Sequence, residues 1–144
     1  MECHSILINK SNLTSVEEDI IRFLESYRTE SVETQEAKNI LSEYFDLNGW
    51  IQGFRYSSTL RNTITAVKGD IGLCAPFGNI ARMFYDVLKL EYCYANKIIE
   101  SGILVCPLTP SGNRAYLDRF SREIREYSKI IRTPICAIGV KIME

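Results

Sequence analysis

Residues 64–79 read I-T-A-V-K-G-D-I-G-L-C-A-P-F-G-N, and residues 80–90 continue as I-A-R-M-F-Y-D-V-L-K-L. Two runs with strand-like composition, 61–67 and 71–77, flank the polar group K-G-D, which supplies the glycine that a tight turn favours. This pattern predicts a β-hairpin. The apolar residues after G-N recur at helical spacing, so a helix is predicted directly after the hairpin, running to about residue 96.

The rest of the chain extends this pattern in both directions. Upstream, T-S-V-E at 14–17 is typical of a helix start, a second helix is predicted at 33–44 and a strand at 50–56. Downstream, apolar runs predict strands at 102–107 and 135–142, separated by a helix that follows residue 113 and ends near 131. The order of two helices, three antiparallel strands, helix, strand, helix and strand predicts an α/β fold with a mixed sheet flanked by helices.

Short motifs spread over two thirds of the chain resemble the BglII/BstYI-type branch of the PD-(D/E)XK restriction endonucleases. They are F-D-L-N-G-W at 45–50, G-N at 78–79, G-I-L-V-C-P at 102–107, S-G-N-R-A-Y at 111–116 and T-P-I-C-A-I-G-V at 133–140. The resemblance implies the αβββαβ core of that superfamily. Length favours a single restriction-endonuclease-like domain over residues 1–144, with an N-terminal helical part at 1–48 and the nuclease-like core at 49–144.

The resembling family carries its catalytic residues on this hairpin as Asp, eight further residues, and Glu-x-Gln. The matching positions here are Thr65, Cys74 and Pro76. Phosphodiester cleavage by such enzymes needs Mg²⁺, a hard cation that carboxylates and other oxygens hold. The hydroxyl of Thr65, the soft sulfur of Cys74 and the ring of Pro76 are poor replacements for these carboxylate ligands. The resemblance therefore implies the fold without the catalytic residues, and we expect no metal and no other cofactor.

Three nearby acids leave an alternative open. Asp70 falls in the predicted hairpin turn, whereas Asp86 and Glu91 fall on the helix behind it. Acids occupy that helix in some members of the resembling superfamily. If these residues supply displaced ligands, the protein is an active Mg²⁺-dependent DNA endonuclease.

Candidate nucleic-acid-binding residues lie beside the hairpin and along the predicted C-terminal helix. Lys68 lies in the hairpin turn, and Asn79 and Arg82 begin the helix that follows it. The others are Ser111, Asn113, Arg114, Arg119, Arg122, Arg125 and Lys129. Basic residues spaced by three and four share a helical face and can follow a phosphate backbone. The same residues can instead pair with Asp118, Glu123 and Glu126 as an ordinary solvated surface.

Charge is distributed unevenly along the chain. Residues 1–48 contain ten acids and four bases, net −6, whereas residues 49–144 contain thirteen bases and eight acids, net +5. This asymmetry is consistent with a basic face for phosphate and an acidic flank for a partner protein. Five widely spaced cysteines without a C-x-x-C pair and a single histidine, His4, argue against a disulfide framework, a zinc site and histidine-based catalysis.

These observations favour a catalytically inactive restriction-endonuclease-like protein. We expect it to bind double-stranded DNA or to act as a non-catalytic subunit of a nucleic-acid defence assembly. A purely protein-binding scaffold is the third possibility. Apolar residues around much of the 79–96 helix predict a homo-oligomer or a complex with another protein. Without a signal-peptide pattern or a long apolar run, a cytoplasmic location and no membrane partner are expected.

Overall fold

The computed structural model describes residues 1–109 and 116–143, and these residues form six strands and four helices. The strands are β1 (Cys3–Ile8), β2 (Ile51–Arg55), β3 (Thr63–Lys68), β4 (Ile71–Cys74), β5 (Ser101–Pro107) and β6 (Ile135–Val140). The helices are α1 (Ser15–Glu25), α2 (Thr34–Leu47), α3 (Ile80–Ala95) and α4 (Leu117–Glu126).

All six strands belong to one sheet, in the order β1-β6-β5-β4-β3-β2. Strands β2, β3 and β4 form an antiparallel meander, whereas β4, β5 and β6 run parallel. Strand β1 closes one edge, antiparallel to β6. The predicted mixed α/β sheet is therefore confirmed, including the hairpin, the helix after it and the parallel C-terminal part.

The helices pack in two layers, one on each face of the sheet. Helices α1 and α2 bury residues such as Ile20 and Phe45 against one face, and α3 and α4 bury Leu90 and Phe120 against the other. Helix α3 approaches the sheet closely because β4 carries a glycine there: a Cβ at Gly72 would lie 3.2 Å from the Leu90 side chain. This close approach places α3 directly behind the β3–β4 hairpin.

The predicted start of the first helix is confirmed in detail. The Thr14 hydroxyl accepts a hydrogen bond from the Glu17 backbone N–H at 3.4 Å, and the Glu17 carboxylate accepts one from the Thr14 N–H at 2.8 Å. This is the reciprocal capping box that the sequence pattern predicts. Glu17 is buried and also pairs with Lys10, so the cap fixes the loop after β1 as well as the helix.

Strand β1 is an element that the sequence pattern does not predict. Residues 6–8 are a run of only three apolar side chains, without the alternation that marks a half-buried strand. Its partner is at the other end of the chain, with Ile8 opposite Ile135 and Cys3 opposite Val140. The local pattern of apolar residues cannot predict that β1 pairs with β6, because the two strands are far apart in the sequence.

The last helix is shorter than predicted, because it ends at Glu126 and not near residue 131. Apolar residues at 130 and 131 continue the helical spacing, but the chain turns after Tyr127 to enter β6. The Glu91 carboxylate on α3 accepts hydrogen bonds from the Arg132 N–H at 2.7 Å and the Thr133 N–H at 3.0 Å. This contact ties the segment before β6 to α3, and Lys129 lies between the end of α4 and that segment.

Candidate functional site

The candidate site is the hairpin mouth, the end of the β3–β4 pair where the two strands separate. Strands β3 and β4 pair only from Ala66–Leu73 to the turn. Beyond Leu73 the chain no longer pairs with β3 through backbone hydrogen bonds. Instead, the hydroxyl of the exposed Thr65 on β3 accepts a hydrogen bond from the Ala75 N–H at 3.1 Å. Because of this separation, strand β4 ends at Cys74, whereas the sequence predicts that it continues to residue 77.

Strand β3 changes the face it buries at Thr65. Ile64 and Val67 are three residues apart, yet both are buried in the α3–α4 layer, while Ala66 between them is buried in the α1–α2 layer. In β2, Gly53 lies opposite Thr65 by register and has a φ of +62°, a conformation that favours glycine. The irregularity in both strands leaves the Thr65 side chain at the surface of the mouth.

The other two hairpin positions are closed to solvent. Cys74 and Pro76 are buried, and burial raises the pKa of the Cys74 thiol, with a smaller contribution from the negative charge of Asp86. A neutral buried thiol is neither a good nucleophile nor a ligand for a hard cation. Pro76 offers no N–H to the mouth. None of the three positions therefore presents a carboxylate to the hairpin mouth.

Asp86 is the acid that the structure brings next to the hairpin. It is buried on α3, and burial raises its pKa, opposed by the positive charges of Lys89 and Arg82. The Lys89 Nζ lies 3.7 Å from the Asp86 Oδ1 and donates a hydrogen bond to the Thr63 carbonyl at 3.1 Å. The same ammonium lies 4.7 Å from the centre of the Tyr85 ring. Asp86 thus faces an internal cation.

Sequence analysis missed the groups around this acid. One is Lys89; the Tyr85 ring that Lys89 approaches has a further partner in Asn62, whose amide donates a hydrogen bond to the Tyr85 hydroxyl at 2.6 Å. The available signal was the i, i+3 spacing of Asp86 and Lys89, which puts them on neighbouring positions of one helix face. The contacts with Thr63 and Asn62 depend on how α3 packs on the sheet and have no local signal.

The other two acids lie away from the hairpin mouth. Asp70 is exposed in the hairpin turn beyond the end of β3, whereas Thr65 lies three residues before that end, roughly 10 Å back along the strand. Lys68 is near the same turn. The Glu91 carboxylate accepts hydrogen bonds from the Thr133 hydroxyl at 2.9 Å and from two backbone N–H groups before β6. Asp86, Asp70 and Glu91 are therefore not brought together.

The two predicted binding residues at the start of α3 do lie beside the hairpin. Asn79 is the N-cap of α3, and its side-chain oxygen accepts a hydrogen bond from the Arg82 N–H at 2.9 Å. Both side chains are exposed. The cap satisfies a helix-end N–H, a structural role that leaves the Arg82 guanidinium at the surface.

Two of the predicted basic residues of α4 pair with acids of the same helix. Arg119 pairs with Glu123 at 3.3 Å, and Arg122 pairs with Asp118 at 3.6 Å. Arg125 lines a groove beside β1, which is four strands from β3 and so roughly 19 Å away. Lys129 lies beyond the helix. Ser111, Asn113 and Arg114 lie outside the described residues.

An apolar face lies between α3 and the turn after α4. It is a groove of about 420 Å³ lined by Phe84, Leu88, Tyr127 and Ile130 among others. Leu88 is 63% exposed and Ile130 73% exposed, high values for large apolar side chains. We call this surface the α3–α4 face. It corresponds to the exposed apolar residues that the sequence predicts on the 79–96 helix.

Residues 1–109 and 116–143 contain neither a metal-binding cluster nor a membrane-spanning helix. Among them, no group of three or more His, Cys, Asp or Glu side chains is arranged to hold a metal ion. Within the same residues, no helix has the length and apolar character needed to cross a membrane.

Comparison with known proteins identifies relatives by sequence profile and by structure. The profile of the family described as "Restriction endonuclease BglII/BglIII" matches residues 3–140. The structure of restriction endonuclease BglII complexed with a DNA 16-mer superposes with a TM-score of 0.85 and 11% identity, covering 100% of this chain and 78% of that one. Free BglII gives a TM-score of 0.73 and 11% identity, covering 100% and 80%. No curated protein sequence matches the chain.

Proposed function

The chain belongs to the BglII/BglIII restriction endonuclease family, and we propose that it is a member that binds double-stranded DNA without cleaving it. In a cell, such a protein would act by itself or as the non-catalytic subunit of a nucleic-acid defence assembly. The observation that carries this proposal is the hairpin mouth, where Thr65, Cys74 and Pro76 present no carboxylate.

Metal chemistry supports the proposal. The family's reaction uses Mg²⁺, and its ligands should be hard oxygens in near-octahedral geometry. At the mouth, the Thr65 hydroxyl already accepts a backbone hydrogen bond and Cys74 is buried. The nearby Asp86 carboxylate faces the Lys89 ammonium at 3.7 Å. These residues do not fit a magnesium site, so no cleavage step is assigned to them.

DNA binding is proposed from the family and from charge. The BglII structure that superposes best of the two compared is a complex with DNA. Residues 49–144 carry a net charge of +5, and the exposed Lys68 and Arg82 lie on the hairpin and at the start of α3. Each phosphate that a basic side chain neutralises adds salt-dependent affinity.

A gel shift with labelled duplex and single-stranded DNA in EDTA, at two salt concentrations, tests the proposal. We expect a duplex complex in EDTA that weakens steeply as salt increases, because counterion release drives backbone binding. Lack of a complex at micromolar protein would reject the DNA-binding function. A complex that forms only with Mg²⁺ would reject the metal-independent mode proposed here.

The active endonuclease remains a second candidate because of Asp86, the one fallback acid beside the hairpin. It would require a metal to displace the Lys89 ammonium from the Asp86 carboxylate. Mg²⁺-dependent cleavage that Asp86→Asn abolishes would favour this candidate. Cleavage that survives Asp86→Asn would point to a contaminating nuclease.

A protein-binding role is the third candidate, and it is favoured by the α3–α4 face and the acidic N-terminal part. Leu88 and Ile130 present exposed apolar surface, and residues 1–48 carry a net charge of −6. A non-catalytic subunit needs such a contact with its partner, and an apolar centre with a polar rim is the usual form. If DNA binding fails, a cross-linker placed at Leu88→Cys tests whether this face contacts another protein.

A further inference from the structure

Helix α3 carries a row of alternating basic and aromatic side chains. Its four members follow one another at steps of three or four residues, so they share one face of the helix: Arg82, Tyr85, Lys89 and Tyr92. We call them the tyrosine row. At about 100° per residue, Phe84 and Glu91 of the α3–α4 face point to another side of α3. The tyrosine row is therefore a separate surface, and it begins beside the hairpin mouth.

The two tyrosines of the row expose large parts of their side chains. Tyr85 is 41% exposed and Tyr92 is 40% exposed. They are seven residues apart, which places them roughly 10 Å from each other along the helix axis. Proteins that bind unpaired bases use exposed aromatic rings of this kind as stacking platforms. The spacing leaves room for one base on each ring.

Packing against neighbouring groups orders both rings. The Tyr92 ring lies 5.4 Å from the ring of the buried Tyr56, at an interplanar angle of 51°. The Asn62 amide donates a hydrogen bond to the Tyr85 hydroxyl at 2.6 Å, and the Lys89 ammonium lies over the Tyr85 ring, 4.7 Å from its centre. Side chains that are ordered before binding lose little conformational entropy when a ligand stacks on them.

The connection between β2 and β3, which supports the row, is held by hydrogen bonds of its own. The Arg55 guanidinium donates to three carbonyl groups of this connection, at 3.0, 3.1 and 3.2 Å. The connection ends at Asn62, the residue that contacts Tyr85, and the preceding Arg61 is exposed. A second cation is therefore presented next to the tyrosine row, on the side away from α4.

The exposed charges along the row are positive. Arg82 and Arg61 are exposed and make no direct ion pair within residues 1–109 and 116–143. The single acid between residues 79 and 90 is Asp86, which is buried and faces Lys89. A nucleic-acid strand supplies a complement to both kinds of group, because its phosphates attract the cations and its bases stack on the rings.

We propose that the tyrosine row binds an unpaired strand of DNA, with one base stacked on Tyr85, another on Tyr92, and phosphates beside Arg82 and Arg61. Such binding tolerates many sequences, because every base has an aromatic face. The inference goes beyond duplex binding at the hairpin mouth. It rests on the proposed function only in the choice of DNA over RNA, since the row begins beside the mouth where duplex DNA is proposed to bind.

Fluorescence anisotropy in EDTA tests the proposal with three labelled probes. They are an oligothymidine of about 15 nucleotides, an abasic strand of the same length, and a duplex. The abasic strand keeps the phosphates and lacks the bases, so it should bind at least about tenfold more weakly than the oligothymidine. Equal affinity for the two single strands would overturn the proposal, because it would show that only phosphates are bound. So would a lack of oligothymidine binding at micromolar protein.

Variants of the full chain locate the contact. Tyr85→Ala and Tyr92→Ala should each raise the Kd for oligothymidine by about tenfold and leave any duplex affinity unchanged. Tyr85→Phe keeps the ring and should retain the affinity. Tyr127→Ala removes a tyrosine of the α3–α4 face that is 49% exposed, and it is the matched control. A loss in Tyr127→Ala equal to those at the row would overturn the proposal.

Further readouts keep the test decisive. Circular dichroism melting checks folding, because Tyr92→Ala removes the contact with Tyr56. If that variant does not fold, a 2-aminopurine base within the oligothymidine should be quenched by the wild type and less by Tyr85→Ala; equal quenching would contradict stacking on Tyr85. Tighter binding of oligouridine than of oligothymidine would overturn the choice of DNA. Duplex binding without single-strand binding would reject this inference alone, and the reverse result would reject only the proposed duplex function.

Discussion

The hairpin mouth and the β1 edge treat their polar groups in opposite ways. At the mouth, the Ala75 N–H has the Thr65 hydroxyl and the Asp86 carboxylate has the Lys89 ammonium. At the edge, outward backbone groups of β1 and the Arg125 guanidinium have no partner within the described chain. A region whose polar groups are satisfied internally gains little from a ligand, whereas an open edge gains by association. The hairpin mouth therefore has few polar groups left for a ligand, whereas the β1 edge still has backbone groups that can bind one.

The largest effect is expected from breaking the internal ion pair at the mouth. Lys89→Met should lower the free energy of unfolding by about 3 kcal/mol, because it leaves a buried carboxylate without its nearest cation. Adding Asp86→Asn should recover most of that loss. Urea titrations of the wild type, both single variants and the double variant measure the coupling, with Lys38→Met as an exposed control. Equal losses in Lys89→Met and the double variant would contradict the pairing.

The pH dependence of stability gives a second test of the same pair. Burial raises the folded-state pKa of Asp86, so the folded protein binds more protons than the unfolded chain as this carboxyl titrates. Its ionisation therefore costs stability as pH rises from the unfolded-state pKa through the folded-state pKa. Asp86→Asn should gain stability relative to the wild type over that interval, measured by thermal melts between about pH 4 and 7. A difference that is constant with pH would mean that Asp86 is not desolvated.

A smaller effect is expected at the point where the hairpin strands separate. Thr65→Val should lower the free energy of unfolding by about 1 kcal/mol, because the Ala75 N–H loses its acceptor while the side-chain shape is retained. Thr65→Ser keeps a hydroxyl and should lose less. Chemical denaturation compares the two. An equal loss in both would assign the effect to packing and not to the hydrogen bond.

The smallest effect concerns the basic residues near and far from the mouth. If DNA lies along the mouth, Arg82→Ala should weaken binding and reduce the slope of log K against log salt by roughly 0.9, the value of one phosphate contact. Lys129 lies beyond α4, at the turn into β6, so Lys129→Ala should leave the slope of log K against log salt unchanged. Fluorescence anisotropy at four salt concentrations measures both. A reduced slope in Lys129→Ala alone would reverse this assignment.

Elements with local signals could be predicted from the sequence. The K-G-D turn places a glycine where the backbone requires a φ of +57°, and the Thr14–Glu17 capping box marks the start of α1. The apolar stripe of α3 and the uniformly buried β5 follow from periodicity and composition. These features are encoded within a few residues, so one sequence suffices to find them.

Features that join distant segments could not be predicted. Strand β1 depends on a partner more than a hundred residues away, and the segment before β6 is tied to α3 by the contact of Glu91 with Thr133. The groove between β1 and α4 exists only because these two elements, far apart in the sequence, pack side by side. The ion pairs of Arg119 and Arg122 along α4, and the position of Arg125 beside β1, likewise depend on how the side chains of α4 are arranged in the folded chain.

The most direct test of the central claim is a cleavage assay under conditions where DNA is bound. Supercoiled plasmid would be incubated with saturating protein in EDTA, Mg²⁺ or Mn²⁺, with complex formation followed in parallel by gel shift. The account predicts bound and intact plasmid under all three conditions. Nicking or linearisation that requires the divalent cation and disappears in Asp86→Asn would contradict it, and would make this chain an active nuclease with a displaced ligand.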